Sequence, residues 1–365
     1  MDLLKFKKLL PLIVLSLSSC AKVGYMIDQG KGQLALQASA RPNEVVLKDP
    51  RVPSKNKKKI ELILKAKKYF YDYFGRPATG IYSKTTVLER EMVTTLVIAS
   101  PYNRIEARKE CFPLVGCFPY LGFFEPEDAK EYASDLEKEG LVTYSRPVYA
   151  YSTLGHFEDT ILSSFFYYSD EDLVELVFHE LFHTIFFVTD EVDLNENLAN
   201  YYGEELRALY LGWGEGQRSQ QQREKANDEA LSRLIVAQAA ELSARYQKEP
   251  SATRERSNEI LESFLAQSFN PSVDLFCQKH QLQEKMCWPR TRTWNNASFA
   301  AFLTYEKKAQ RISELRRELN LDLKELFALL EKAYRCYDSL ASSEKDNLSF
   351  EKLLFEERDR LCPDI

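Results

Sequence analysis

The sequence predicts a helix-rich α+β fold with a small N-terminal β-sheet and a helical C-terminal part. Three observations carry this. Apolar, β-branched runs are confined to the stretch before residue 152, and helical periodicity is nearly continuous from Ser169 onward. The chain is also long, with 365 residues of which 44% are hydrophobic and 12% aromatic, enough for a sizeable core. Its 13 glycines and 14 prolines exclude a low-complexity or collagen-like chain.

After Cys20, Gln, Ala and Leu recur at helical spacing, and Pro42, Pro50 and Pro53 then punctuate a loop. Lys55 to Lys59 read as the solvated start of a helix over 57–74, in which Ile60, Ile63, Leu64, Phe70 and Phe74 alternate with lysines until Gly75 and Pro77 stop it. Val93–Ala99, Val115–Phe124 and Leu141–Tyr151 suit strands, with a helix over Pro126–Gly140 between the last two. Ser169 is placed as an N-cap with Asp172 three residues on, and its helix should run to about Val188. Thr189–Asp193 then forms a short turn, and Asp193 caps a second helix that continues to Gly212. Gln217–Gln247 and Thr253–Phe269 read as a charged helical hairpin, 271–294 as an irregular, cysteine-bearing connection, and three more helices fill 295–362. The expected organisation is a signal segment (1–19), a tether and loop (20–56), a mixed α/β lobe (57–168), a helix pair (169–212) and a helical C-terminal lobe (213–365).

A formal net charge of -6 leaves no electrostatic footprint for nucleic acid. The first residues bear on compartment. Lys5, Lys7 and Lys8 form a basic region, Leu9–Leu17 an apolar stretch too short to span a bilayer, and Ser18 and Ser19 precede Cys20. This order predicts a secretory signal, and Leu17-Ser18-Ser19-Cys20 resembles a bacterial lipobox, which would make Cys20 the lipidation site. The expected location is the bacterial cell envelope, with the membrane reached only through that lipid. Six further cysteines, an even set, fit an oxidising compartment; their short spacings favour pairing Cys111 with Cys117 and Cys277 with Cys287. None shows the C-x2-C spacing usual in structural zinc sites.

The chemistry concentrates in His179-Glu180-Leu181-Phe182-His183. On a helix, positions i and i+4 share a face, so both imidazoles can reach one metal ion while Glu180 leans toward its open position. Leu173, Val177, Phe178, Phe182 and Phe186 leave this helix almost no polar face, and two buried histidines with a carboxylate need a partner such as zinc. A catalytic zinc takes three protein ligands, and Glu196, thirteen residues after His183, is the expected third; Glu191, Glu204 and Glu205 are nearby alternatives. Asn200, one turn after Glu196, is placed to orient a ligand. With these parts, a zinc-polarised water would attack a peptide carbonyl, Glu180 passing its proton to the leaving amine. Candidates for steadying the oxyanion or contacting substrate are Tyr149, Tyr151, His156 and Tyr305, whereas His280 reads as merely exposed.

On these residues the chain resembles a family of bacterial lipoproteins described as predicted zinc aminopeptidases, within the wider gluzincin, thermolysin-like set. The resemblance extends over Leu17–Gly24, Cys111–Cys117, Ala150–Gly155, His179–His183, Asn195-Glu196 with Ala199, and Asn295-Asn296-Ala297. It implies a zincin-like metallopeptidase core, His179, His183 and Glu196 as metal ligands, Glu180 as catalytic base, and Ala150–Gly155 as an edge strand where a peptide substrate adds. Two features depart from it. Asn200 stands where many gluzincins carry Asp, and the Gly-x-Met-Glu-Asn motif that grips a substrate's free amine is absent. The competing expectation is a non-catalytic envelope lipoprotein whose zinc stabilises a peptide-binding cleft; retention of Glu180 argues against it, because a structural zinc needs no neighbouring base. Spacing alone leaves exopeptidase and endopeptidase both open, along with hydrolysis of non-peptide amides.

Overall fold

The computed structural model describes residues 24–112, 116–149, 159–305, 309–345 and 348–363. Cys20 and its signal segment, Ala150–Gly155 with Tyr151, and His156 therefore lie outside the described residues. Residues 24–38 form a helix, α1, and the segment expected as a loop instead holds strand β1 (Arg41–Pro42) and helix α2 (Asn43–Lys48), with Val46 buried in the core. Helix α3 (Ser54–Phe74) ends as expected. Gly75 adopts φ +62, and the Arg76 amide donates to the Tyr71 carbonyl, closing the last turn. The basic run is not wholly solvated, because Lys59 is buried and reaches Asp170.

The strands form three small sets. β1, β2 (Lys84–Thr86) and β8 (Ile161–Leu162) make one sheet, with β1 and β2 antiparallel and β2 and β8 parallel. The second has β3 (Thr94–Pro101) between β6 (Leu121–Phe123) and β7 (Leu141–Val148), antiparallel on both sides. The single strand expected over 115–124 is thus two: β5 (Gly116–Phe118) turns back on β4 (Glu110–Phe112), bridged by Cys111–Cys117, and β6 joins the main sheet. Alternation explains why β3 is apolar on both faces. Val97 and Ala99 face α4 (Pro126–Lys138), while Leu96 and Ile98 face α10 (Asn296–Tyr305).

The remainder is helical. The main core gathers α3, α5 (Asp170–Phe182), α6 (Val192–Tyr210), α11 (Leu323–Ser339) and the helical segment near Phe350, which Cys336–Cys362 ties back. A second core lies among α7 (Glu215–Lys248), α8 (Arg254–Phe264), α9 (Asn270–Lys279) and α10. Here the expected irregular connection begins later than the sequence suggested. A π turn, Leu265–Phe269, carries the helix on past Pro271 to Lys279, the wider turn accommodating the missing proline N–H. The Cys277–Cys287 disulfide staples the start of the connection to α9. No described helix is long and apolar enough to cross a membrane.

Candidate metal centre

Helix α5 is built to present its histidines from a buried rod. Ser169 Oγ accepts the Asp172 amide at 3.0 Å, and Asp170, Glu171 and Asp172 all occupy the first turn, where the helix end is positive. Lys59 fastens the same end from α3, its Nζ donating to Asp170 Oδ1 and to the Tyr168 carbonyl, both at 2.6 Å. Leu173, Val174, Val177, Phe178, Leu181 and Phe182 are buried, so the rod cannot rotate without exposing its apolar face.

The helix ends earlier than its apolar periodicity implies. Phe182 is its last residue and His183 its C-cap, not Val188. Thr184 supplies the reason: its Oγ1 and its amide both donate to the Leu181 carbonyl, at 2.7 and 3.0 Å, taking the acceptor a further helical turn would use. Tyr71 of α3 holds Thr184 in place by a 3.0 Å contact between hydroxyls. The connection to α6 is therefore a longer loop than the expected Thr189–Asp193 turn. Asp190 bends it sharply at φ +63, and Glu191, not Asp193, is the N-cap of α6.

Asn195 anchors that loop to α6. Its side-chain amide is buried, with Oδ1 accepting the Val188 amide at 2.8 Å and Nδ2 donating to the Val188 carbonyl at 2.7 Å. One residue on, Glu196 meets the two imidazoles. His179 Nε2 and His183 Nε2 are 3.3 Å apart, His179 Nε2 lies 3.4 Å from Glu196 Oε2, and His183 Nε2 lies 3.5 Å from Glu196 Oε1. Among the described residues this is the one cluster of three or more such side chains able to hold a metal ion. The other acids near Glu196 are engaged elsewhere: Glu191 accepts the Phe350 and Glu351 amides, Glu204 pairs with Lys225 and Glu205 with Arg316.

The donor set suits zinc. Three ligand atoms at tetrahedral positions about a Zn²⁺ ion, each about 2.0–2.2 Å from it, would lie about 3.3–3.6 Å from one another, and the three separations here fall in that range. Three electron-rich atoms facing one another at such distances repel unless a cation or shared protons lie between them. Charge agrees with geometry. Burial lowers the His183 pKa to about 4, the nearby Glu196 charge only partly opposing it. Burial also works against protonated His179, but the Glu196 and Asn200 hydrogen bonds and the Glu180 and Glu196 charges outweigh it, so its pKa is raised. For Glu196 burial is likewise outweighed, here by the two imidazoles, and its pKa is lowered. Asn200, one turn after Glu196 on α6, is thus among the groups that act on His179. His183 Nδ1 is buried without a hydrogen bond among the described residues, so packing and the Nε2 contacts orient that ring.

Several residues around this centre escaped the sequence reading. Gly203 is one: a Cβ there would stand 3.1 Å from the Glu175 carbonyl and 3.5 Å from the His179 Cβ, so its absence lets α6 lie against α5 at the first histidine. The signal was available, because a glycine inside a helix costs about 1 kcal/mol and needs a reason. Tyr82 is another, fully buried at φ +58, a conformation rare for a bulky residue. Its phenol pKa is pushed well up by burial and by the charges of Glu180 and Asp159. Tyr168 is half-buried, its pKa raised by burial and by charges that include Tyr149 and Glu180. Of the tyrosines proposed from sequence, Tyr149 is partly exposed, its carbonyl accepting Ser164 Oγ, and the Tyr305 backbone closes α10. His280 stacks on Phe276 and contacts Asn227 away from this centre.

Residues 24–345 match a protein-family model described as putative aminopeptidase. No curated protein and no solved structure matches the chain.

Proposed function

Because the chain belongs to the putative aminopeptidase family, we propose that it is a zinc-dependent peptidase of the bacterial cell envelope, an aminopeptidase that holds its metal with His179, His183 and Glu196. The observation that carries the reading is the triangle of two imidazole nitrogens and a carboxylate, with mutual separations of 3.3 to 3.5 Å, beside a buried Glu180. When bound, zinc supplies Lewis acidity toward a scissile carbonyl and toward water.

The chain's own residues do the rest. His179 and His183 would ligate through neutral Nε2 atoms, and Asn200 would orient the His179 ring. The Glu180 carboxylate takes a proton from the attacking water and returns it to the departing amine. Tyr168, sensitive to both Glu180 and Tyr149, joins Tyr149, Tyr151, His156 and Tyr305 as a candidate donor to the oxyanion. Exopeptidase action rests on family membership. The envelope location rests on the order of segments up to Cys20 and on three disulfides, which suit an oxidising compartment.

The test has three parts. Purified protein should carry one zinc per chain, and Glu180→Gln should retain it while turnover falls by about 10²–10⁴-fold. Peptides with a free N-terminus should be cleaved and their acetylated forms spared. Zinc bound by a protein that hydrolyses nothing across a broad peptide library would favour the binding-cleft alternative. Labelled palmitate should enter the chain and be lost in Cys20→Ser.

A further inference from the structure

A cleft of about 740 Å³ lies between α1 and α4, and none of its lining residues belongs to α5 or α6. We propose that it docks a cationic peptide segment, one carrying lysine or arginine beside an apolar side chain. The walls are firmly set. Tyr25 and Gln29 of α1 both donate to the Gly122 carbonyl, at 3.0 and 2.9 Å. Gly32 lies so close to Phe124 that a Cβ would fall 2.2 Å from the ring, which fixes α1 against the sheet.

The floor is apolar and the rim acidic. Phe112, Leu121, Phe123 and Tyr132 form the base, with Tyr25 stacked over Phe112 at 5.4 Å. Seven carboxylates and only two cationic side chains line the cleft. Five of the seven are ion-paired, Asp28 with Lys31, Glu110 and Glu139 with Arg108, Glu125 with Arg90 and Asp135 with Lys138, which leaves two. Asp128 and Glu131, exposed and one turn apart on α4, make no ion pair among the described residues. An occupant must therefore bring positive charge to the rim and apolar surface to the aromatic base, where ring faces also attract cations. Fatty acids and anionic headgroups fail the first requirement, and a bare polyamine fails the second. The volume lies within the range of ligand pockets.

The proposal is independent of the peptidase reading and is tested in Glu180→Gln, whose turnover is expected to be too slow to consume the probe during a titration. The probes are a dye-labelled peptide of alternating lysine and leucine, its glutamate and leucine counterpart, and spermine as competitor, followed by fluorescence anisotropy. The lysine peptide should bind, the glutamate peptide should not, and spermine should compete only weakly. Asp128→Lys with Glu131→Lys, both at the surface, should weaken binding at least about tenfold with an unchanged circular dichroism spectrum. Equal binding of the two peptides, full displacement by spermine at similar affinity, or an unchanged Kd in the double variant would overturn it.

Discussion

Replacing Asn195 by alanine should loosen the proposed metal centre without touching a proposed ligand. The substitution removes both hydrogen bonds to Val188, leaving that residue's buried N–H unpaired and its carbonyl with only the Glu191 amide at 3.4 Å. At about 1–3 kcal/mol for the stranded N–H and about 1 kcal/mol for the bond lost at the carbonyl, the metal-free protein should lose about 2–4 kcal/mol of stability. Asn195→Asp keeps an acceptor for the Val188 amide but cannot donate to the carbonyl, so about half that loss is expected. The loop from His183 to Glu191 would then no longer be held to α6, and the His183–Glu196 separation would widen. Zinc affinity should fall about 10- to 100-fold, as for other residues that support metal ligands. Urea unfolding of the metal-free protein gives the first quantity, and competition with a chromophoric chelator the second. Stability within about 0.5 kcal/mol of the parent together with unchanged zinc affinity would refute the anchoring role.

The same geometry yields other outcomes. Gly203→Ala should weaken zinc binding because its methyl group meets the Glu175 backbone, while the gain of about 1 kcal/mol in helix propensity offsets part of the strain; affinity and a urea midpoint read separately decide it. For the metal-free protein, the unfolded chain protonates His183 near pH 6.5 and the folded one only near 4. Its contribution to stability is therefore lost as pH falls through that window, and His183→Gln should flatten the slope. His179, raised instead, acts in the opposite sense above pH 6.5, so unfolding curves at stepped pH separate the two. Cys362→Ser should cost about 3–4 kcal/mol by releasing the 26-residue loop to Cys336, measured by thermal melting against the same protein under reduction, which should abolish the difference.

What was legible from sequence was what is local. His179, Glu180 and His183 are a helical repeat, and Ser169 capping and the Gly75 stop depend on neighbouring residues alone. Glu196 was within reach because one short connection separates it from His183. Ile185, Phe186 and Phe187 misled, since they continue the helical periodicity although the chain has left the helix. Phe186 is buried from a loop, against Phe182, Phe327, Tyr334 and Phe350. Contacts that join distant segments carry no local signature: Lys59 with Asp170, Tyr71 with Thr184, and Tyr82 near Glu180 could not be read from spacing.

His179 stands inside a rigid cylinder, whereas His183 stands at its rim, where the ladder of main-chain bonds has already given way to a loop. The two donors thus belong to parts of different stiffness, and an ion between them would act as a stitch from scaffold to loop. Its removal should first free the segment between Thr184 and Glu191, seen as faster amide exchange there than in the body of α5, so that loading and release of the ion are governed by that loop.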